Sequence, residues 1–239
     1  MKKSALLVLL IAIISSCTPS KSTKNPYDNY GKAHNEIVNG IFEKAKSQLS
    51  KESTTEEILK FVSNETKKSL NDDNFLKKYD LTKNSKDVDN VLNEFTSKPA
   101  LFAVGVCKSC PDFEKLMKMM PTFPEYKDIF TVLTKSDDED DDTPEKIISK
   151  LNNIEKEAMT MEGSNKKNRK LLLLAIGKNS INLTDKLTKQ GSISCCNWKD
   201  VGASDCGGAL AGAPLVGVGA LGGAALFSSV NLIGQYFKW

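Results

Sequence analysis

Histidine and arginine are almost absent from this chain of 239 residues, since each occurs once, as His34 and Arg169. A single histidine excludes zinc sites built from several histidines of one chain and the iron site of two histidines and a carboxylate. A Ser-His-Asp triad would have to use His34. Because His34 stands beside the apolar stripe of a predicted helix, we expect a partly exposed surface residue. The sequence therefore predicts neither catalysis at His34 nor a bound metal or cofactor.

Aromatic residues are also scarce, at 7%, and the charge is nearly balanced. The net charge of +3 falls to +1 once an N-terminal segment with Lys2 and Lys3 is removed. Nucleic acids need a concentrated basic face, so we expect no nucleic-acid partner. The six acids at 137–142 lack the alternating ligands and the glycine of a calcium loop, which favours a solvated loop. A small basic patch is predicted to be a solvated face, with anionic headgroups as the alternative: Lys166, Lys167, Arg169 and Lys170.

The first 17 residues predict a bacterial lipoprotein signal. Two lysines precede an uncharged run at 5–14, and small residues then lead to Cys17. The run is too short to span a bilayer, so we expect residues 1–16 to be removed, an uncleaved anchor being the alternative. The pattern resembles lipobox signals, whose cysteine receives a diacylglyceryl group and becomes the acylated first residue. Cys17 is therefore the predicted lipidation site and membrane anchor.

The mature chain divides into three parts. Residues 17–29 are polar and contain two prolines, which predicts a lipidated, flexible tether. Residues 30–188 are predicted to form an irregular, mainly α domain, because apolar residues recur every four positions from Ala33 to Leu49. Residues 189–239 form a cysteine-containing, glycine-rich apolar tail.

Local signals predict where several helices of the domain begin and end. Thr54 with Glu57, or Ser53 with Glu56, fits a capping box. Prolines at first-turn positions, such as Pro144, predict further helix starts. We expect Gly177 to end the helix that contains the apolar run 171–176, because glycine is a common helix terminator.

The cysteines offer the most enzyme-like motif. Cys107 and Cys110 follow an apolar run and precede Pro111, and a helix start there would lower the pKa of the first thiol. The other features of a thioredoxin site are missing, so a local disulfide or free thiols are favoured over a redox pair. Further candidate disulfide residues are Cys195, Cys196 and Cys206. Their spacing lacks the second CxxC of a zinc ribbon, and export to an oxidising compartment favours disulfides over metal binding.

The tail carries no charged residue between Gly207 and Phe237 and is long enough to cross a bilayer. Its small residues have helical spacing, and close helix packing is predicted at Gly208, Gly212, Gly219 and Gly223. Pro214 would kink the segment or divide it into a hairpin. We expect an apolar helix or helical hairpin that contacts membrane or another copy of the chain. Packing back on the body and disorder are the alternatives.

Two stretches, residues 25–36 and 198–209, resemble uncharacterised lipoproteins and secreted proteins of Bacteroidetes-type bacteria. The first has an aromatic residue, Gly31 and the pair His34-Asn35 directly before a helix. The second opens the tail and is similar to the entry into the glycine-rich ends of such proteins, which are themselves similar to bacteriocin peptides. The resemblance implies location and architecture. No acid directly follows Cys17, which then favours an outer-membrane protein facing the periplasm over surface display.

Taken together, these patterns predict a non-enzymatic cell-envelope lipoprotein. Its partners would be the membrane, through Cys17, and membrane or a second copy, through the tail. Release of the tail as a bacteriocin-like peptide is a sharper form of this hypothesis. The alternative is an envelope thiol-disulfide oxidoreductase that uses Cys107 and Cys110.

Overall fold

The computed structural model describes residues 24–82, 85–97, 126–134, 143–163, 165–193, 198–211 and 217–237. This part of the chain is helical and contains no strand, which confirms the predicted mainly α fold. The helices in chain order are α1 (Asp28–Gln48), α2 (Thr55–Asn71), α3 (Asp73–Lys78), α4 (Ser85–Thr96), α5 (Lys127–Thr134), α6 (Pro144–Thr160), α7 (Asn165–Lys189), α8 (Trp198–Ala211) and α9 (Val218–Phe237).

Two predicted helix starts are confirmed by their capping contacts. The backbone N–H of Glu57 donates to Thr54 Oγ1 at 3.2 Å, and the Thr54 N–H donates to the Glu57 carboxylate at 2.7 Å, so a full capping box begins α2. Thr143 accepts from the N–H of Lys146 at 3.3 Å, with Pro144 in the first turn of α6. These contacts satisfy helix N–H groups that have no partner within the helix.

The predicted helix end at Gly177 is wrong, because α7 continues through it. Gly177 is needed for packing instead, since a Cβ there would lie 2.9 Å from Cys206 Sγ on α8. The helix ends at Lys189, and Gly191 just beyond it has a φ of +69°, in the left-handed region. The N–H of Ser192 donates to the carbonyl of Leu187 at 3.0 Å, as expected where a glycine follows a helix end.

The described part of the tail is a helical hairpin at the centre of the molecule. Helix α9 packs on α8, α1, α2 and α4, and α8 packs on α7 and α5. Every residue of α9 from Val218 to Gln235 is buried. Of the alternatives that the sequence leaves open, the structure therefore has the tail packed back on the body.

One core joins the two sides of the predicted boundary at residue 188. Leu221 and Leu226 of α9 pack in a cluster with α1, α2 and α4. Ala220 and Ala224, on another face of α9, belong to a second cluster formed by α5, α6, α7 and α8. Helix α9 thus lies between the two clusters of the core and contributes residues to both.

Glycines allow the central helices to approach closely. A Cβ at Gly208 would lie 2.6 Å from the carbonyl oxygen of Gly223, so these two predicted packing glycines pack against each other within one chain. Gly219 is also buried, and Gly212 lies outside the described residues. Gly31 makes a similar contact between α1 and α7, because its Cβ would lie 2.4 Å from the carbonyl oxygen of Ala175.

Candidate functional site

The two stretches that carry the family resemblance meet in the core. His34 on α1 faces Asp205 on α8, with 3.5 Å between Nε2 and Oδ2, and both side chains are 0% exposed. The hydroxyl of Ser180 on α7 donates to the same carboxyl oxygen, and the hydroxyl of Ser228 on α9 also interacts with Asp205. We call His34, Ser180, Asp205 and Ser228 the buried polar cluster. It links the four helices α1, α7, α8 and α9.

Burial of His34 corrects the expectation of a partly exposed residue. Helix α1 packs on both α7 and α9, so its buried face is wider than the every-fourth-residue stripe. Gly31 and His34 are three positions apart and therefore share one side of the helix. A second signal was available in the tail, where Asp205 is a lone acid among small residues.

Asn35 indicates which nitrogen of His34 carries the proton. The side-chain nitrogen of Asn35 donates to the carbonyl of Asn179 at 2.7 Å, which leaves its Oδ1 to accept from His34 Nδ1 at 3.1 Å. In the neutral ring Nε2 is then the acceptor. The nitrogen that faces Asp205 is therefore the one that can receive a hydrogen bond from a protonated carboxyl.

Burial shifts the ionisation of the cluster toward neutral forms. It lowers the pKa of His34 to about 4, against weaker opposite effects of Asn35 and the Ala224 carbonyl. It raises the pKa of Asp205 well above its usual value, although the hydroxyls of Ser180 and Ser228 favour the carboxylate. The pKa of the neighbouring Cys206 thiol is also raised, first by burial and then by the charge of Asp205.

The cluster does not have the geometry of a Ser-His-Asp triad. In a triad the serine hydroxyl bonds to the histidine, which can then take its proton. Here the hydroxyl of Ser180 bonds to Asp205 instead, and Ser180 is 1% exposed, so a substrate has no access to it. The arrangement can hold a proton and fix the register of four helices.

The cysteine predictions fall mostly outside the described residues. This holds for Cys17, Cys107, Cys110, Cys195 and Cys196. Cys206 is a free, buried thiol that donates to the carbonyl of Leu173 at 3.4 Å, so the disulfide predicted for it is not formed. Its sulfur packs against Gly177 of α7, where the absence of a side chain leaves room for it.

A cavity of about 660 Å³ lies where the chain enters the domain, between residues 24–29, the end of α6 and the start of α7. Asn25 is 4% exposed there, and its side-chain nitrogen donates to the carbonyl of Leu171 at 2.8 Å and to Glu155 at 2.6 Å. Residues 25–29 of the predicted tether of residues 17–29 are therefore part of the folded domain. Within the described part of the chain no three acid, histidine or cysteine side chains form a candidate metal site.

No family model, curated protein or solved structure matches the chain. The resemblance to Bacteroidetes-type lipoproteins thus stays a prediction. The structure adds that its two stretches, 171 positions apart at His34 and Asp205, form one contact.

Proposed function

We propose that the protein is a non-enzymatic cell-envelope lipoprotein, anchored by lipid on Cys17, whose α8–α9 hairpin leaves the core to bind a membrane. The observation that supports this proposal is the length and the apolar composition of α9. Its 20 residues carry no charge, and the helix is long and apolar enough to cross a bilayer. At 1.5 Å per residue it measures about 30 Å, the thickness of the hydrocarbon layer.

The surroundings of α9 are consistent with such a transfer. Helices α1, α2 and α4 cover it, and each of them has one apolar and one polar face. Acyl chains can cover the same apolar surface, so a move into lipid exchanges one apolar environment for another. A soluble core helix meets the same criteria of length and composition, which is why an experiment must distinguish the two roles.

The closed form exposes little apolar surface through which it could bind lipid without opening. Among the described residues Tyr236 is the only exposed large hydrophobic side chain, at 37%. Contact of the tail with lipid therefore requires the hairpin to open. Since Gly208 of α8 lies directly against the backbone of Gly223 of α9, we expect the two helices to leave as one unit, α9 entering the bilayer.

A disulfide between α7 and α8 tests whether opening is required. In a disulfide each Cβ lies about 3 Å from the sulfur of the other cysteine. A Cβ at position 177 would lie 2.9 Å from Cys206 Sγ, so Gly177→Cys places a new thiol in bonding position. In the mature chain with Cys17→Ser, which carries no lipid anchor, we expect the oxidised Gly177→Cys variant to lose binding to vesicles of phosphatidylethanolamine and phosphatidylglycerol, and the reduced form to regain it.

The control variant is Gly40→Cys on α1, where an added Cβ meets nothing within 4 Å. It adds a cysteine without a lock, so oxidation should leave its vesicle binding unchanged. Peptide mapping would verify the 177–206 bond. In this chain without lipid, equal binding by the locked and unlocked forms, or no binding by the unlocked form, would contradict the proposal. Lipid on Cys17 is checked separately, by the mass of the mature N-terminal peptide.

A further inference from the structure

We propose that the contact between His34 and Asp205 is a proton-linked latch, in which one proton shared by the pair holds the α8–α9 hairpin closed. The proposal rests on the function proposed above, because the hairpin is the element that the latch would hold. It concerns the regulation of that hairpin, and the contact itself is part of the described fold. His34 lies on α1, which stays in the body, and Asp205 lies on α8 of the hairpin, so opening must separate them.

Geometry limits how many protons the closed pair can hold. Both side chains are 0% exposed, and 3.5 Å separates Nε2 from Oδ2. With no proton the pair would leave a buried carboxylate beside a neutral imidazole. With two protons it would leave a buried imidazolium facing a neutral acid. Either uncompensated charge is costly away from water, so the closed pair keeps one proton over a wide range of pH.

The groups that the described residues place around the pair are neutral. From α1 the ring meets the Asn35 amide, and from α9 it meets the Ala224 carbonyl, while Ser228 faces Asp205. From α7 the Ser180 hydroxyl bonds to Asp205. Cys206 of α8 is titratable, but burial raises its pKa and keeps it a neutral thiol. The proton of the pair is therefore the variable that responds to pH.

In the open form both groups contact water and titrate near their ordinary values, about 3.9 for aspartate and about 6.5 for histidine. Above pH 6.5 the open form holds no proton on the pair, whereas the closed form holds one. Raising the pH then favours opening, by up to about tenfold in the closed-to-open ratio per pH unit until the closed pair loses its proton. Between about pH 3.9 and 6.5 both forms hold one proton, so the ratio is constant there.

The pKa shifts of His34 and Asp205 predict the same pH dependence as this count of protons. The folded pKa of His34 is lowered to about 4, so its contribution to stability is present above pH 6.5 and is lost as the pH falls toward 4. The folded pKa of Asp205 is raised, so its contribution is present below about pH 3.9 and is lost as the pH rises through the folded value. The two contributions cancel between about pH 4 and 6.5.

Urea unfolding of the full mature chain with Cys17→Ser, measured without lipid from pH 4 to 9, tests the latch. The wild-type core should show a plateau below about pH 6.5 and a fall in stability above it. In Asp205→Asn the fall above pH 6.5 should disappear and a fall below 6.5 should appear, because only the histidine then titrates. In His34→Gln the fall should begin near pH 3.9, the ordinary value of aspartate.

Glu43→Gln is the matched control, since Glu43 is 50% exposed on α1 and pairs with Lys46. Removing this carboxylate should leave the shape of the pH profile unchanged. Profiles of Asp205→Asn and His34→Gln that parallel the control would overturn the latch. If either variant fails to fold, the ring signals of the native protein decide. His34 is the only histidine, and its signals should stay neutral down to about pH 4, whereas titration near 6.5 would contradict the proposal.

Vesicle binding of the same chains separates the two proposals. Binding that rises above pH 6.5 in the parent protein, but in Asp205→Asn rises only below pH 6.5, supports both. Binding with no pH dependence in either chain overturns the latch as a regulator but leaves the membrane function. Absence of binding at every pH overturns the membrane function, and the unfolding profiles then still determine whether the pair stores a proton.

Discussion

At the scale of single residues, the clearest backbone exception is Asp80, which has a φ of 54°. It follows α3, and the N–H of Leu81 donates to the carbonyl of Leu76 at 2.9 Å, as in a helix end that glycine would normally occupy. A non-glycine residue pays a steric penalty in this region, although aspartate and asparagine tolerate it better than most.

We therefore expect Asp80→Gly to stabilise the protein by about 0.5–1 kcal/mol, measured by urea unfolding. Asp80→Asn is the control, because it removes the charge and keeps a residue tolerant of positive φ. If Asp80→Asn stabilises as much as Asp80→Gly, charge rather than backbone conformation is the cause.

Residue-scale signals of the sequence were reliable where the partner was local. The capping box of Thr54 and the first-turn Pro144 depend on neighbours within four positions, and both predictions are confirmed. Gly177 and His34 depend on α8, which is remote in the chain, and both predictions were wrong. A glycine that ends a helix and one that admits another helix look alike in sequence.

At the scale of helices, α1 offers a matched pair of glycines. A Cβ at Gly31 would lie 2.4 Å from the backbone carbonyl oxygen of Ala175, which cannot move without shifting α7. Nothing lies within 4 Å of a Cβ at Gly40. Substitutions at the two positions therefore distinguish the effect of helix packing on stability from that of helix propensity.

We expect Gly31→Ala to destabilise the fold by about 1–3 kcal/mol through overpacking. Gly40→Ala should stabilise it by up to about 1 kcal/mol, because alanine is the better helix former. Thermal or urea unfolding of both variants provides the measurement. Similar effects of the two substitutions would show that the α1–α7 contact is looser than the structure indicates.

The tail shows why helices are easier to predict than their partners. Its length, composition and Pro214 predicted a helix or hairpin, and α8 and α9 confirm this for the described residues. The same glycines were compatible with contacts between chains or within one chain. Only the placement of Gly208 against Gly223 selects the second. Small side chains indicate that another helix packs closely at that position, but they do not indicate which helix it is.

At the scale of the whole molecule, the two core clusters depend on α9, which contributes to both. A chain that ends at residue 188 would lack α8 and α9 and would expose the apolar faces of the remaining helices. We expect the urea unfolding curve of such a chain, measured by circular dichroism, to lose its cooperative transition. Retention of a cooperative transition by residues 17–188 would instead support the predicted independent domain. A chain that ends at residue 211 would show how much of the effect belongs to α9 alone.

If Cys17 carries lipid, as we propose, the buried side chain of Asn25 limits how far the folded domain can lie from the membrane. Eight residue steps separate Cys17 from Asn25, which at full extension reach about 29 Å. This is close to the length of α9 itself, about 30 Å. A hairpin released from a protein held in this way would meet the leaflet that carries its own lipid anchor before it could meet another membrane. The intact lipoprotein would therefore act on its own membrane, and action at a distance would require that the tail first be cut free.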